Sequence, residues 1–198
     1  IAGLTYCDTV GYNSTSSVRY TKTAAENTAD TSLVMHPNLG MVEGSKYSIS
    51  FNIKPVAMGS LWIRINGTTN GGAGSLKLDE NGALVTTNAK SFMTITSLGD
   101  GWYNVASNTA NEHKIAWGGM ALLFAPKGDV AVDFYIDDFS VKDEAGNEIV
   151  TNGGFELPAQ DEETEIVREN NVITEFGNTS EIAGLTYCDT VGYNSTSS

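Results

Sequence analysis

Trp62, Arg64 and Asn66 are the side chains of this sequence best suited to hold a ligand. They alternate with Leu61, Ile63 and Ile65 in the stretch 60–66. In a β-strand the aliphatic three then face a core and the indole, guanidinium and amide face away from it. That trio suits a sugar surface: an aromatic face stacks on the C–H face of a pyranose, and amides and Arg bond its hydroxyls. The stretch 46–54 turns Ser50, Asn52 and Lys54 away from Tyr47, Ile49, Phe51 and Ile53. If these two strands are neighbours, Asn52 joins the same surface. Trp117, beside Gly118 and Gly119, is expected in a loop at its rim. Tyr6 and Tyr12 are weaker aromatic candidates. Catalysis is not expected, since His36 and His113 are the only histidines and no serine or cysteine sits in a nucleophile context. Paired carboxylates in so acidic a chain do not by themselves indicate glycosidase chemistry.

Strands must position these groups. Alternation and turn residues predict them at 17–22, 31–36, 46–54, 60–66, 75–78, 83–87, 90–97, 101–107, 119–125 and 130–141, with no long helical period. Gly99-Asp100-Gly101 reads as a tight turn before Trp102 and, with one acid, as a poor calcium loop. Trp102 and Tyr103 face opposite ways. Many short strands with turns between them predict an all-β, two-sheet antiparallel β-sandwich of jelly-roll type.

Charge narrows the partners. The net charge is −13, which argues against nucleic acid, because phosphate binding needs Lys and Arg. Residues 143–181 hold eleven acids against Arg168 alone. They read as a solvated linker, or as acids that partly face calcium, which takes oxygen ligands. No apolar run reaches membrane-spanning length, so no membrane insertion is expected.

Residues 1–17 recur letter for letter as 182–198. Chance does not produce such an identity, and the simplest reading is one period of a tandem array plus the start of the next repeat. Cys7 and Cys188 are then one position in two copies. One cysteine per period excludes a disulfide framework within a repeat, leaving a small buried thiol or a bond between successive repeats.

Two motifs carry a resemblance: FYIDDFSV at 134–141 and IVTNGGFE at 149–156. GYNSTSSVRY at 11–20, GSKYSISF at 44–51 and GWYN at 101–104 support it. The chain resembles the β-sandwich carbohydrate-binding modules of the family 4, 9, 16 and 22 type. In that group a strand like NGGFE comes first and one like YIDDFSV last; here the order is reversed. The chain therefore reads as a tandem repeat cut out of phase. Residues 1–149 form a β-sandwich body lacking its first strand, and 150–181 are an acidic segment carrying that strand. The segment folds back or is donated to a neighbour, and 182–198 copy 1–17.

The resemblance implies polysaccharide binding on a concave sheet face, no enzyme activity, and a structural place for Trp102. It also implies a structural calcium ion where first and last strands meet, at Asp138, Glu156 and Asp137. Strand alternation lets only one of Asp137 and Asp138 face the ion, and Asp138 is the expected ligand. The expected function is a non-catalytic, carbohydrate-binding repeat of an extracellular or cell-surface protein. The alternative is a structural subunit of an extracellular fibre, surface layer or adhesin stalk, assembled with neighbouring copies head-to-tail by strand exchange.

Overall fold

The computed structural model describes residues 4–24, 33–35, 42–66, 73–86, 93–107, 113–114, 121–127, 130–150, 152–156 and 186–188. Among them the chain is all-β. The strands are β1 (Leu4–Cys7), β2 (Ser17–Lys22), β3 (Leu33–Met35), β4 (Lys46–Ala57), β5 (Ser60–Asn66), β6 (Ala73–Leu78) and β7 (Leu84–Thr86). They continue as β8 (Met93–Gly99), β9 (Trp102–Ser107), β10 (His113–Lys114), β11 (Ala121–Lys127), β12 (Val132–Lys142) and β13 (Thr186–Cys188). Two sheets form a β-sandwich. The larger runs β13-β1-β2-β12-β4-β9-β8 with β10 also on β4, and the smaller runs β3-β11-β5-β6-β7. Every pair is antiparallel except β1 with β13. The described residues contain no helix long and apolar enough to cross a membrane.

Alternation decides which side chains fill the space between the sheets. Tyr47, Ile49, Phe51 and Ile53 of β4 meet Phe134, Ile136, Phe139 and Val141 of β12, with Leu61, Leu76 and Leu84 from the smaller sheet. The Gly99-Asp100-Gly101 turn is as tight as the sequence predicts. Asp100 (φ 49°) and Gly101 (φ 80°) link β8 to β9 with two left-handed residues, the geometry that matches the twist of a hairpin.

One expectation fails here. β4 and β5 are consecutive but belong to different sheets, because β12 and β9 already occupy both edges of β4. The chain crosses from one sheet to the other at Met58 and Gly59. Asn52 therefore does not lie in line with Trp62, Arg64 and Asn66.

Residues 148–150 and 152–156 run back along the end of β12. Ile149 N donates to Val141 O at 2.9 Å and Phe139 N donates to Gly153 O at 2.7 Å. Val150 and Phe155 are buried in the main core. The strand expected at 150–156 is instead a strap with a turn, and its one ladder bridge pairs Glu148 with Lys142. The strap passes so close to β12 that a Cβ on Gly153 would lie 1.8 Å from Phe139 O. Gly153→Ala should therefore cost about 1–3 kcal/mol or more in urea unfolding, since backbone cannot yield as a side-chain tip can. Phe155→Ala should cost about 3–5 kcal/mol through the cavity it leaves. Losses under about 0.5 kcal/mol in both would mean that the strap is not part of the folded body.

Candidate functional site

The face of the larger sheet turned away from the core carries an ordered set of side chains. One cross-strand row runs from Lys54 of β4 to Tyr135 of β12, Arg19 of β2 and Thr5 of β1. Trp102 of β9 continues it, with the Lys54 ammonium 5.9 Å from the centre of its ring. The Arg19 guanidinium lies 5.2 Å from the centre of the Tyr135 ring. Cations and aromatic faces thus alternate across four strands, each ring holding a cation by its quadrupole. Arg19 is fixed further by a two-pronged bond to Asp133, at 2.8 and 2.6 Å.

A second row, one pleat further along, is made of amides and a carboxylate. Asn104, Asn52 and Asp137 are register partners across β9, β4 and β12. Asn104 Nδ2 donates to Asn52 Oδ1 at 2.9 Å, and Asn52 Nδ2 donates to Asp138 Oδ2 at 2.8 Å. Asn52 is buried, so it braces the sheet and is not the exposed sugar contact expected of it.

The loop 8–16 between β1 and β2 lies across this face. Tyr12 N donates to Asp137 Oδ2 at 2.6 Å, and its ring meets Trp102 edge-on at 6.0 Å. Cys7, Trp102 and Tyr135 are buried beneath Val10, Tyr12 and Leu98, separately from the main core. Trp102, for which a structural place is expected, is 4% exposed, and it packs on the outer face of the sheet and not in the main core. Between loop and hairpin lies a cleft of about 370 Å³, lined among others by Tyr12, Asn13, Ser14, Lys54, Asp100 and Trp102. Aromatic carbon forms part of its lining, and hydroxyl, amide, ammonium and carboxylate groups offer both donors and acceptors.

The predicted sugar residues fall elsewhere. Trp62 is half-buried on β5, one position from the fully buried Leu61, and so faces away from the core on the smaller sheet. Arg64 and Asn66 hold later register positions on the same strand. Trp117 lies outside the described residues. Sequence reasoning missed Arg19, Lys54 and Tyr135. Alternation turned Lys54 away from the core, but nothing in it said that β2, β12, β4 and β9 lie side by side.

The three acids of the expected ion site do come together. A bulge interrupts β12 between Asp137 and Ser140, and Asp138 takes a left-handed φ of 46°. Strand alternation therefore does not separate the pair as expected. A Cβ on Gly154 would meet Asp138 Oδ1 at 3.6 Å, Glu156 Cγ at 3.8 Å and Asp137 Oδ1 at 4.0 Å. Glu156 accepts a bond from Ser16 Oγ at 3.1 Å. Asp137 is fully buried and accepts from Tyr12 N, Ser14 Oγ and Asp138 N. Among the described residues no three His, Cys, Asp or Glu side chains are arranged to hold a metal ion.

Burial nevertheless pushes the Asp137 carboxyl up from 3.8 to about 7, with the Asp138 charge adding to the rise and its three donors opposing it. Asp138 is also raised, by burial first and by the Glu156 charge, against the bond from Asn52.

No protein-family model matches the chain, and no curated protein matches it. Three solved structures to which it is similar contain carbohydrate-binding modules. One is the CBM22-1–GH10 modules of Clostridium thermocellum endo-1,4-β-D-xylanase 10B complexed with xylohexaose, at 15% identity over 71% of this chain and 24% of that one, TM-score 0.44. Another is the CBM22-1 xylan-binding domain of Paenibacillus barcinonensis Xyn10C, at 14% identity over 71% and 80%, TM-score 0.42. A CBM4 structure follows, at 12% identity over 72% and 95%, TM-score 0.37. The chain thus spans about a quarter of the first of these.

The raised carboxyl fixes the sign of a pH effect. Between about pH 4 and pH 7 folded Asp137 keeps a proton that the unfolded chain has released, so this group's contribution to stability falls as pH rises through that window. Urea midpoints taken in a chelator from pH 4 to 8 should show the fall, and Asp137→Asn should flatten it. The variant also carries a pH-independent cost, since its amide replaces one acceptor. An unchanged slope in Asp137→Asn would remove the group from the account.

Proposed function

We propose that this chain is a non-catalytic polysaccharide-binding module of an extracellular or cell-surface protein, and that it binds in the cleft on the outer face of the larger sheet. The observation that carries this reading is the Trp102–Lys54–Tyr135–Arg19 row under Tyr12, opening into a cleft with polar walls. Tyr12 is half-buried at the cleft and offers ring surface for a pyranose to pack on. Lys54, Asn13, Ser14 and Asp100 supply bonds to hydroxyls. Lys54 and Tyr12 each pack on the buried Trp102 in the cleft lining, so little ordering cost accompanies binding.

We also propose a structural calcium ion in the same region. Asp138 and Glu156 are the carboxylates that would hold it, with backbone carbonyls or water completing an oxygen shell. The buried Asp137 carboxyl behind them adds negative charge. Three acids lie around Gly154; Asp137 is raised in pKa by burial and by the Asp138 charge, and Asp138 by burial and by the Glu156 charge, which a cation would relieve. Such an ion would pin the loop 8–16 to the strap 148–156 and would take no part in chemistry.

Affinity electrophoresis against xylans, β-glucans, mannans and cellulose tests the first reading. Tyr12→Ala should weaken binding about tenfold, roughly 1.4 kcal/mol, while Trp62→Ala leaves it intact. The opposite pattern would move the site to the smaller sheet, and no retention by any polysaccharide would sink the reading. For the ion, chelated protein should gain several degrees in Tm on adding millimolar Ca²⁺, and Asp138→Ala should lose the gain. A Tm indifferent to Ca²⁺ in the parent chain would dismiss it.

A further inference from the structure

The two copies of the 17-residue sequence meet in the fold. β13, from the second copy, pairs with β1, from the first, in parallel and in register: Thr5 with Thr186, Tyr6 with Tyr187, Cys7 with Cys188. The order β13-β1-β2 sets β13 outside β1, on the side away from β2. Successive residues of a strand turn their N–H and C=O groups alternately to its two edges. Two parallel strands in register share that phase. Hence the groups that β13 turns toward β1 are the counterparts of those that β1 turns toward β2. The second copy bonds through the very edge by which the first copy is built into the sheet.

We infer that residues 182–198 are a spare first strand and loop, able to replace residues 1–17 on β2 of a second copy of this chain and so to link the two molecules. The seats differ in quality. On β2 the segment has four antiparallel partners, Leu4 with Tyr20 through Cys7 with Ser17, whereas β13 on β1 has three parallel ones. Parallel pairing is also slightly weaker per residue. Within one molecule the better seat is taken by β1, which the short loop 8–16 ties to β2.

Every contact the first copy makes with the body is encoded in the second. Tyr6 bonds Ser16, Tyr12 and Ser14 bond Asp137, and Ser16 bonds Glu156. The same residues recur as Tyr187, Tyr193, Ser195 and Ser197. The connection 157–185 has 29 residues, with a reach of at most about 100 Å, enough to serve a neighbour. When a neighbour's copy enters, the displaced β1 takes the outer seat, so exchange conserves the contacts and is driven by concentration. This linkage does not depend on sugar binding.

The test uses the full chain, Tyr6→Ala, Tyr187→Ala and the double variant, each followed by light scattering and urea unfolding. The parent should grow from monomer to oligomer with concentration, and Tyr187→Ala should raise the concentration needed at least tenfold. Tyr6→Ala should lower that concentration and lose little stability, because Tyr187 of another molecule fills the place. The double variant should lose far more than the two single losses combined. Monomers at every concentration up to millimolar would overturn the inference. So would a Tyr6→Ala chain that is as unstable as the double variant or fails to fold.

Discussion

The structure is organised around burying the Asp137 carboxylate. A polar group out of water is costly unless hydrogen bonds surround it, and here the donors come from separate parts of the chain. Tyr12 and Ser14 arrive on the loop from β1, and the N–H of Asp138 arrives through the β12 bulge. The strap brings Gly154 against the carboxylates, and it passes β12 at Gly153, where an added Cβ would collide with Phe139 O. Loosening any one of these would leave a buried acceptor short of a donor. The loop is held over the sheet for that reason, and the cleft exists because the loop is held.

The same arrangement explains why one face of the larger sheet stays polar while being largely covered. Its inward face is closed by Phe51, Phe134 and Ile53, which ask nothing of their neighbours beyond volume. Its outward face is closed by groups with directional needs: Asn104 to Asn52, Asn52 to Asp138, Arg19 to Asp133. A face built from fixed donors, acceptors and rings is preorganised for a polar ligand. The apolar part of this face is the cluster of Cys7, Trp102 and Tyr135 under Val10, Tyr12 and Leu98.

Much of the fold was legible because alternation is a local property. β2 and β5 span the residues that alternation in 17–22 and 60–66 predicted, and the Asp100-Gly101 hairpin followed from its residue types. Alternation gives the face of a residue and is silent about the neighbouring strand. Asn52 and Trp62 were therefore placed together although β12 and β9 flank β4. The bulge at Asp138 was equally hidden, since nothing in FYIDDFSV marks the residue that takes a left-handed φ. The row of Trp102, Lys54, Tyr135 and Arg19 is drawn from four separate stretches, and only strand order could assemble it.

The duplicated segment shows the converse limit, where sequence identity leaves structure undecided. Two identical strands have identical preferences, so local physics cannot say which one occupies β2. What differs is their connection: β1 enters β2 through the loop 8–16, and the second copy arrives from beyond residue 157. Short closure favours the first copy by entropy alone. That advantage is finite and independent of concentration, whereas a copy offered by another molecule gains with every rise in concentration. A sheet edge occupied by a strand that also fits an interior seat is therefore only conditionally closed.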